Sequence, residues 1–236
     1  MQMEHVSKET KIPRIIHYCW LGNAEMPQRI KDCIESWRTV MPDYEIRRWD
    51  ENNFDIHSVR WVEQAVAQNK WAFAADYIRL HALYSVGGIY LDSDVRAIKP
   101  FDPFLNHRAF SGIEWDQKVF YSHSEMPWNN GINIEAAIMG SEQGHPVFKA
   151  FLDFYKEHDF EARNMNSYVM PPVLSSVAKD FGFNREAWWD HQVLEGDFHI
   201  YPYDYFTGQR TALWDMYVSH NTVAIHLHSG SWRSEL

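Results

Sequence analysis

Gly87-Gly88-Ile89-Tyr90-Leu91-Asp92-Ser93-Asp94 is the stretch that decides the fold. A double-glycine turn feeds a short apolar run, Ile89–Leu91, and the run ends in two carboxylates one residue apart. Such a run reads as a buried strand, and in open α/β sheets ligands sit outside the carboxyl ends of strands. Two anions placed there repel each other and lose hydration unless something positive joins them. A divalent cation carrying a phosphorylated ligand answers that need, and two carboxylates flanking a small serine suit a hard cation such as Mn²⁺ or Mg²⁺. Taken alone, Asp-x-Asp also describes an ordinary strand-end turn, where aspartate is common for its side-chain hydrogen bonds.

The residues upstream favour the cation. Trp71–Val86 carries the clearest helical pattern in the chain, and Gly87 stops it as a C-cap would. Asp76 and Arg79 are three apart and share a face of that helix. Pointed at solvent, they form an ion pair worth under about 1 kcal/mol. Pointed at the strand end bearing Asp92, Asp76 accepts hydrogen bonds from sugar hydroxyls, and Arg79 offers paired donors to hydroxyl or phosphate oxygens.

Working outward, Ile15–Trp20 is a second buried strand, and Gly22-Asn23 turns the chain. Pro27 opens a helix whose Ile30, Cys33, Ile34, Trp37 and Met41 recur at helical spacing, and Tyr44–Trp49 is the next strand. A helix over Val59–Asn69 precedes Trp71. Alternating strands and helices define the α/β class with a largely parallel, Rossmann-like sheet flanked by helices. Beyond Asp94 the pattern weakens. Val95–Pro100 is expected to lead the chain away from the site, Ala109–Ile113 to form a strand, and Asn133–Gly140 to run as one strand. His145-Pro146 opens a helix over Val147–His158, Pro171-Pro172 precedes a helix near Val173–Phe181, and Phe198–Tyr203 and Thr222–Leu227 read as strands. Glu125, Glu135, Glu142 and Asp116 carry no signal of a role beyond polarity.

The chain has 236 residues, enough for one domain with a substantial core. Its net charge of −10 argues against a nucleic-acid backbone as partner, which needs a basic surface. Cys19 and Cys33 are the only cysteines and read as reduced, buried fillers. No run reaches membrane-spanning length, and the polar start lacks a signal-peptide core. The expected location is cytoplasmic, with room for peripheral seating at the inner face of a membrane.

Ala72-Phe73-Ala74-Ala75-Asp76-Tyr77-Ile78-Arg79-Leu80, then Leu83-Tyr84, Gly87–Asp92 and Asp94, resembles the DXD-containing sugar-binding region of glycosyltransferase family 32. That family includes initiating mannosyltransferases and bacterial capsule or lipopolysaccharide transferases. Supporting matches are Ile12–Gly22, Ser36-Trp37, Pro42–Ile46, Gly144-His145-Pro146 and the segment from His226 to Trp232. Ala75 stands where members typically carry serine, a change that moves no chemistry.

The resemblance implies a single GT-A domain, with a nucleotide-sugar half at about 12–100 and an acceptor half with a closing tail at about 101–236. It implies a metal-dependent retaining transferase that moves a hexose from a UDP- or GDP-linked donor. The acceptor would be a hydroxyl of a glycan or lipid-linked oligosaccharide, as in surface polysaccharide synthesis. By the same resemblance Asp94 and Asp92 hold Mn²⁺ or Mg²⁺, Asp76 and Arg79 bind the donor sugar, and Trp20, followed by Gly22, stacks on the base. His226 or His228 completes the metal shell, and Ser231 or Trp232 holds the pyrophosphate. Two rivals stand beside this expectation. One is a non-catalytic carbohydrate- or nucleotide-binding module of the same fold. The other is a metal-dependent phosphatase or nucleotidyltransferase, which would need further acids or a lysine-bearing phosphate loop near Asp92.

Overall fold

A computed structural model of the chain describes residues 10–121, 130–206, 209–210 and 216–228. The first half alternates as the sequence leads one to expect. Strand β1 (Ile15–Cys19) is followed by α1 (Gln28–Val40), β2 (Glu45–Trp49), α2 (Arg60–Ala67), α3 (Trp71–Val86) and β3 (Gly88–Leu91). β4 (Val95–Ala97), β5 (Ala109–Trp115), α4 (Gln117–Tyr121), β6 (Ile132–Ile134), β7 (Ile138–Ser141) and α5 (Pro146–Glu157) come next. The remainder is α6 (Met170–Ala178), β8 (Gln192–Leu194), β9 (Phe198–Tyr201), β10 (Gln209–Arg210), β11 (Met216–Tyr217) and β12 (Ala224–His226).

The central sheet has the order β2-β1-β3-β7-β5-β9-β8, with β6 paired to β5 off that path. β2, β1, β3, β5 and β9 run one way, whereas β7 and β8 run the other. The sheet is thus mostly parallel, with one reversed strand in its middle. β3 shows how it is covered: Ile89 and Leu91 pack into one apolar cluster with Ile30, Ile34 and Trp37 of α1. Tyr90, on the opposite face, joins Ala74, Ile78 and Leu83 of α3 in the other. Alternate residues of a strand face opposite sides, so a run buried on both sides needs helices on both. The chain leaves β1 through α1 toward β2, then returns across the other face through α2 and α3 to β3. This reversal makes the carboxyl ends of β1 and β3 the place where a ligand crevice opens.

Three local expectations need correction. Asn133–Gly140 is two strands, β6 and β7, interrupted at Glu135-Ala136-Ala137. Those three residues turn their backbone groups elsewhere: Glu135 N–H donates to the Gly112 carbonyl at 2.8 Å, and the Ala137 carbonyl accepts from Asp92 N–H at 2.8 Å. The helix after Phe160 begins at Met170 and includes Pro171 and Pro172 in its first turn. Proline is tolerated there because first-turn N–H groups have no partner within the helix. Lastly, β4 does not lead away from the site. It pairs antiparallel with β12, His226 opposite Val95, and so returns the chain's far end to the aspartates.

The double glycine is required by space as well as by turn. Gly88 has φ +119°, and a Cβ there would lie 2.6 Å from the Ile15 carbonyl oxygen and 3.0 Å from His17 Nε2. His17 is fully buried in β1; its ring bonds the Gly87 carbonyl through Nε2 at 2.8 Å and accepts Trp49 Nε1–H on Nδ1 at 3.0 Å. Accepting from Trp49 requires the neutral imidazole with its proton on Nε2, and burial lowers its pKa to about 4. The unfolded chain takes up this proton near pH 6.5, so between about pH 6.5 and 4 it binds more protons than the fold and stability falls as pH falls. Thermal melts should show His17→Gln less stable than the parent at pH 7.5, with a flatter loss between pH 6.5 and 4. Gly88→Ala should cost about 1–3 kcal/mol at any pH, read by urea unfolding.

Candidate active site

The site is built on a buried ion cluster at the end of β3. Arg79, on the sheet-facing side of α3, has a side chain only 6% exposed, and its guanidinium reaches Asp76 Oδ1 at 2.9 Å and Asp92 Oδ1 at 3.2 Å. It also donates through Nη1 to the Ala136 carbonyl at 2.8 Å and lies 4.7 Å from the centre of the Tyr90 ring. Tyr90 Oη donates to Asp92 Oδ1 at 2.9 Å. The Asp76–Arg79 pair is therefore internal, not solvated, and it faces the strand end. One guanidinium serves two carboxylates. Burial accordingly pushes the Asp76 carboxyl up to about 7, with Arg79 lowering it and Asp92 raising it. The 2.9 Å contact favours the anion, but Arg79 is shared with Asp92, so burial prevails at Asp76. Burial works against the charge on Arg79 as well, yet Asp92, Tyr90 and Asp76 hold its pKa well above the ordinary value.

Asp94 lies two residues beyond Asp92, in the turn closed by Val95 N–H donating to the Asp92 carbonyl at 2.9 Å. Opposite it, β12 delivers His226, whose Nε2 is 3.5 Å from Asp94 Oδ1. One ligating atom each from Asp92, Asp94 and His226 falls within 4.8 Å of the others. Two carboxylates and an imidazole make a donor set suited to Mn²⁺ or Mg²⁺, and the convergence of three such groups on one point fits a divalent cation. His226, rather than His228, belongs to this cluster. The His228 ring packs against it with centroids 3.9 Å apart.

Glu135 escaped the sequence, where it is one acid among many. It lies in the break between β6 and β7, is 1% exposed, and its Oε1 is 3.6 Å from His226 Nδ1. Oε1 accepts Ala137 N–H at 2.7 Å. A single cue was available: an acid flanked on both sides by apolar residues within a predicted strand, a place where an unpaired charge is costly.

Trp20 follows β1 at the same sheet edge, one strand from Asp92, because β1 and β3 are parallel neighbours with His17 opposite Tyr90. Its indole N–H donates to the Ala24 carbonyl at 3.0 Å, which fixes the ring in the loop after the strand. Gly22 has φ +75°, gives its N–H to the Glu51 carboxylate, and packs so close to Trp71 that a Cβ would lie 3.2 Å from the indole. Ser231 and Trp232 lie outside the described residues. Cys19 and Cys33 are buried free thiols, raised by burial to about 12 and about 11, and so inert packing.

A mostly parallel sheet flanked by helices, with an Asp-x-Asp at the carboxyl end of a central strand, is the arrangement of the GT-A fold. Residues 27–111 match the family model described as "Glycosyltransferase sugar-binding region containing DXD motif". The chain is 26% identical over 231 residues to inositol phosphoceramide mannosyltransferase 2 of Schizosaccharomyces pombe, covering 90% of this chain and 61% of that protein. Inositol phosphoceramide mannosyltransferase 1 of the same yeast is 31% identical over 109 residues, 42% of this chain and 33% of its own length. The chain thus spans about three fifths of the first relative and a third of the second. Among solved structures, the PaToxG glycosyltransferase superposes with a TM-score of 0.50 at 17% identity, over 72% of this chain and 69% of that one. The shared fold is the extent of that likeness. No helix among the described residues is long and apolar enough to cross a membrane.

Arg79→Met leaves the buried Asp76 and the partly exposed Asp92 without their cation and should cost about 3 kcal/mol in urea unfolding at pH 7.5. Arg79→Met in an Asp76→Asn background should cost less, because one of the two stranded anions is gone.

Proposed function

We propose that the chain is a metal-dependent glycosyltransferase, moving a hexose from a nucleoside-diphosphate sugar to a hydroxyl of a glycan or glycolipid headgroup with retention of anomeric configuration. Mannose is the first sugar to test, since the relatives carry mannosyltransferase in their names. The observation that carries the proposal is the convergence of Asp92, Asp94 and His226 at the mouth of the β1/β3 crevice. The family-model match of the region around Asp92 supports it independently.

Asp92, Asp94 and His226 would hold Mn²⁺ or Mg²⁺, which when bound supplies positive charge to the diphosphate as it leaves. Arg79 and Tyr90 both engage Asp92 Oδ1, which fixes the direction of that carboxylate. Asp76, held by Arg79, would accept hydrogen bonds from donor-sugar hydroxyls. Trp20, at the neighbouring strand end, offers a face for the base. Fixing base, sugar and diphosphate on three rigid elements brings an incoming hydroxyl to the anomeric carbon in a reactive geometry, which lowers the barrier through orientation. Ser231 and Trp232 remain part of the proposal as a tail that closes over the diphosphate.

A thermal-shift panel of UDP- and GDP-hexoses, each with and without Mn²⁺, tests this directly. At a hundred times its dissociation constant the true donor should raise the midpoint by roughly 5–10 °C, and only with metal present. Asp94→Asn should abolish the shift and the metal-dependent hydrolysis of the donor. Equal turnover in a chelated buffer would remove the metal from the mechanism.

A further inference from the structure

We propose that Glu135 is a positioning residue for the metal centre: its carboxylate accepts a hydrogen bond from Nδ1–H of His226, and so leaves Nε2, the nitrogen beside Asp94, for the cation. The inference rests on the proposed role of Asp92, Asp94 and His226 as ligands. Its own support is geometric. The two nitrogens of His226 face opposite ways, Nε2 toward Asp94 Oδ1 at 3.5 Å and Nδ1 toward Glu135 Oε1 at 3.6 Å. Among the described residues, His226 Nδ1 and Glu135 Oε2 are both sealed from solvent without a hydrogen-bond partner. A buried donor left open is costly, and a small closing movement of His226 Nδ1 onto the Glu135 carboxylate, whose Oε1 is 3.6 Å away, satisfies it.

Glu135 is not one of the three converging ligands, so direct coordination is not what its place provides. It is instead held for a fixed aim. Its N–H donates to the Gly112 carbonyl at 2.8 Å, its carbonyl accepts Ser111 Oγ–H at 2.7 Å, and Oε1 accepts Ala137 N–H at 2.7 Å. A neutral imidazole has one donor and one acceptor nitrogen, and the group bonded to the first determines which is left for a metal. A carboxylate behind a ligating histidine also raises its basicity, and losing such a partner typically weakens metal binding by roughly 10- to 100-fold. The His228 ring packs against the His226 ring, centroids 3.9 Å apart, and restrains its turning.

The test is a double-mutant cycle on Mn²⁺ affinity, read from the electron paramagnetic resonance signal of free Mn²⁺ titrated with protein alone. Glu135→Ala should weaken binding by roughly 10- to 100-fold. Glu135→Gln, which keeps an acceptor oxygen without the charge, should recover part of that loss. Glu135→Ala added to His226→Ala should weaken binding no further than His226→Ala does. Thermal midpoints without metal identify any variant that fails to fold, and the isosteric Gln variant then carries the comparison. Unchanged affinity in a folded Glu135 variant, or full additivity with His226→Ala, overturns the positioning role while leaving the metal site standing. Absence of Mn²⁺ binding in the parent protein overturns both.

Discussion

One buried guanidinium holds this structure's working end together. Arg79 lies on a helix that is inside the protein along almost its whole length, and it reaches two carboxylates and a main-chain carbonyl at once. Taking a charge out of water costs several kcal/mol, and the cost is met only where partners saturate its donors. Here the partners come from three places: Asp76 on the same helix, Asp92 at the end of β3, and Ala136 in the break between β6 and β7. No two of these can shift without stranding the third. The Asp92 carboxylate is therefore held in place beside Asp94 by contacts within the fold.

The reversed strand β7 is what brings the break to this point. Inserted between β3 and β5 and antiparallel to both, it starts where β3 ends, Leu91 opposite Ile138. The residues just before it fall at the ligand edge of the sheet. Glu135, Ala136 and Ala137 thus lie beside the aspartates, although more than forty positions separate them in the chain. The short β4–β12 ladder does the same for His226 from still further away. A parallel sheet alone would present the ends of β1 and β3; the antiparallel additions bring His226 and Glu135 to them.

Much of this was legible in the chain. Strands β1 to β3 and the helices between them are short-range objects: apolar period, a proline at a helix start, glycines at its end. The Asp-x-Asp at a strand end and the Asp76–Arg79 spacing are equally local. Asn133–Gly140 misled because an apolar run with alternation reads as one strand, and the kink at Glu135 is imposed by partners in β5, α3 and β3. His226 and His228 were not separable because both lie within a polar cluster at the end of an apolar run. Only the register opposite Val95 distinguishes them.

The sequence by itself determined the alternating α/β order, the strand end that carries the acids, and the family motif that this region resembles, because propensity, spacing and motif act over neighbouring residues. Tertiary structure alone decided that Arg79 is buried between two acids, that His226 is the histidine that joins them, and that Glu135 stands behind it. Each of those depends on strand pairings between distant segments, whose register follows from packing on both faces of the sheet and leaves no local mark.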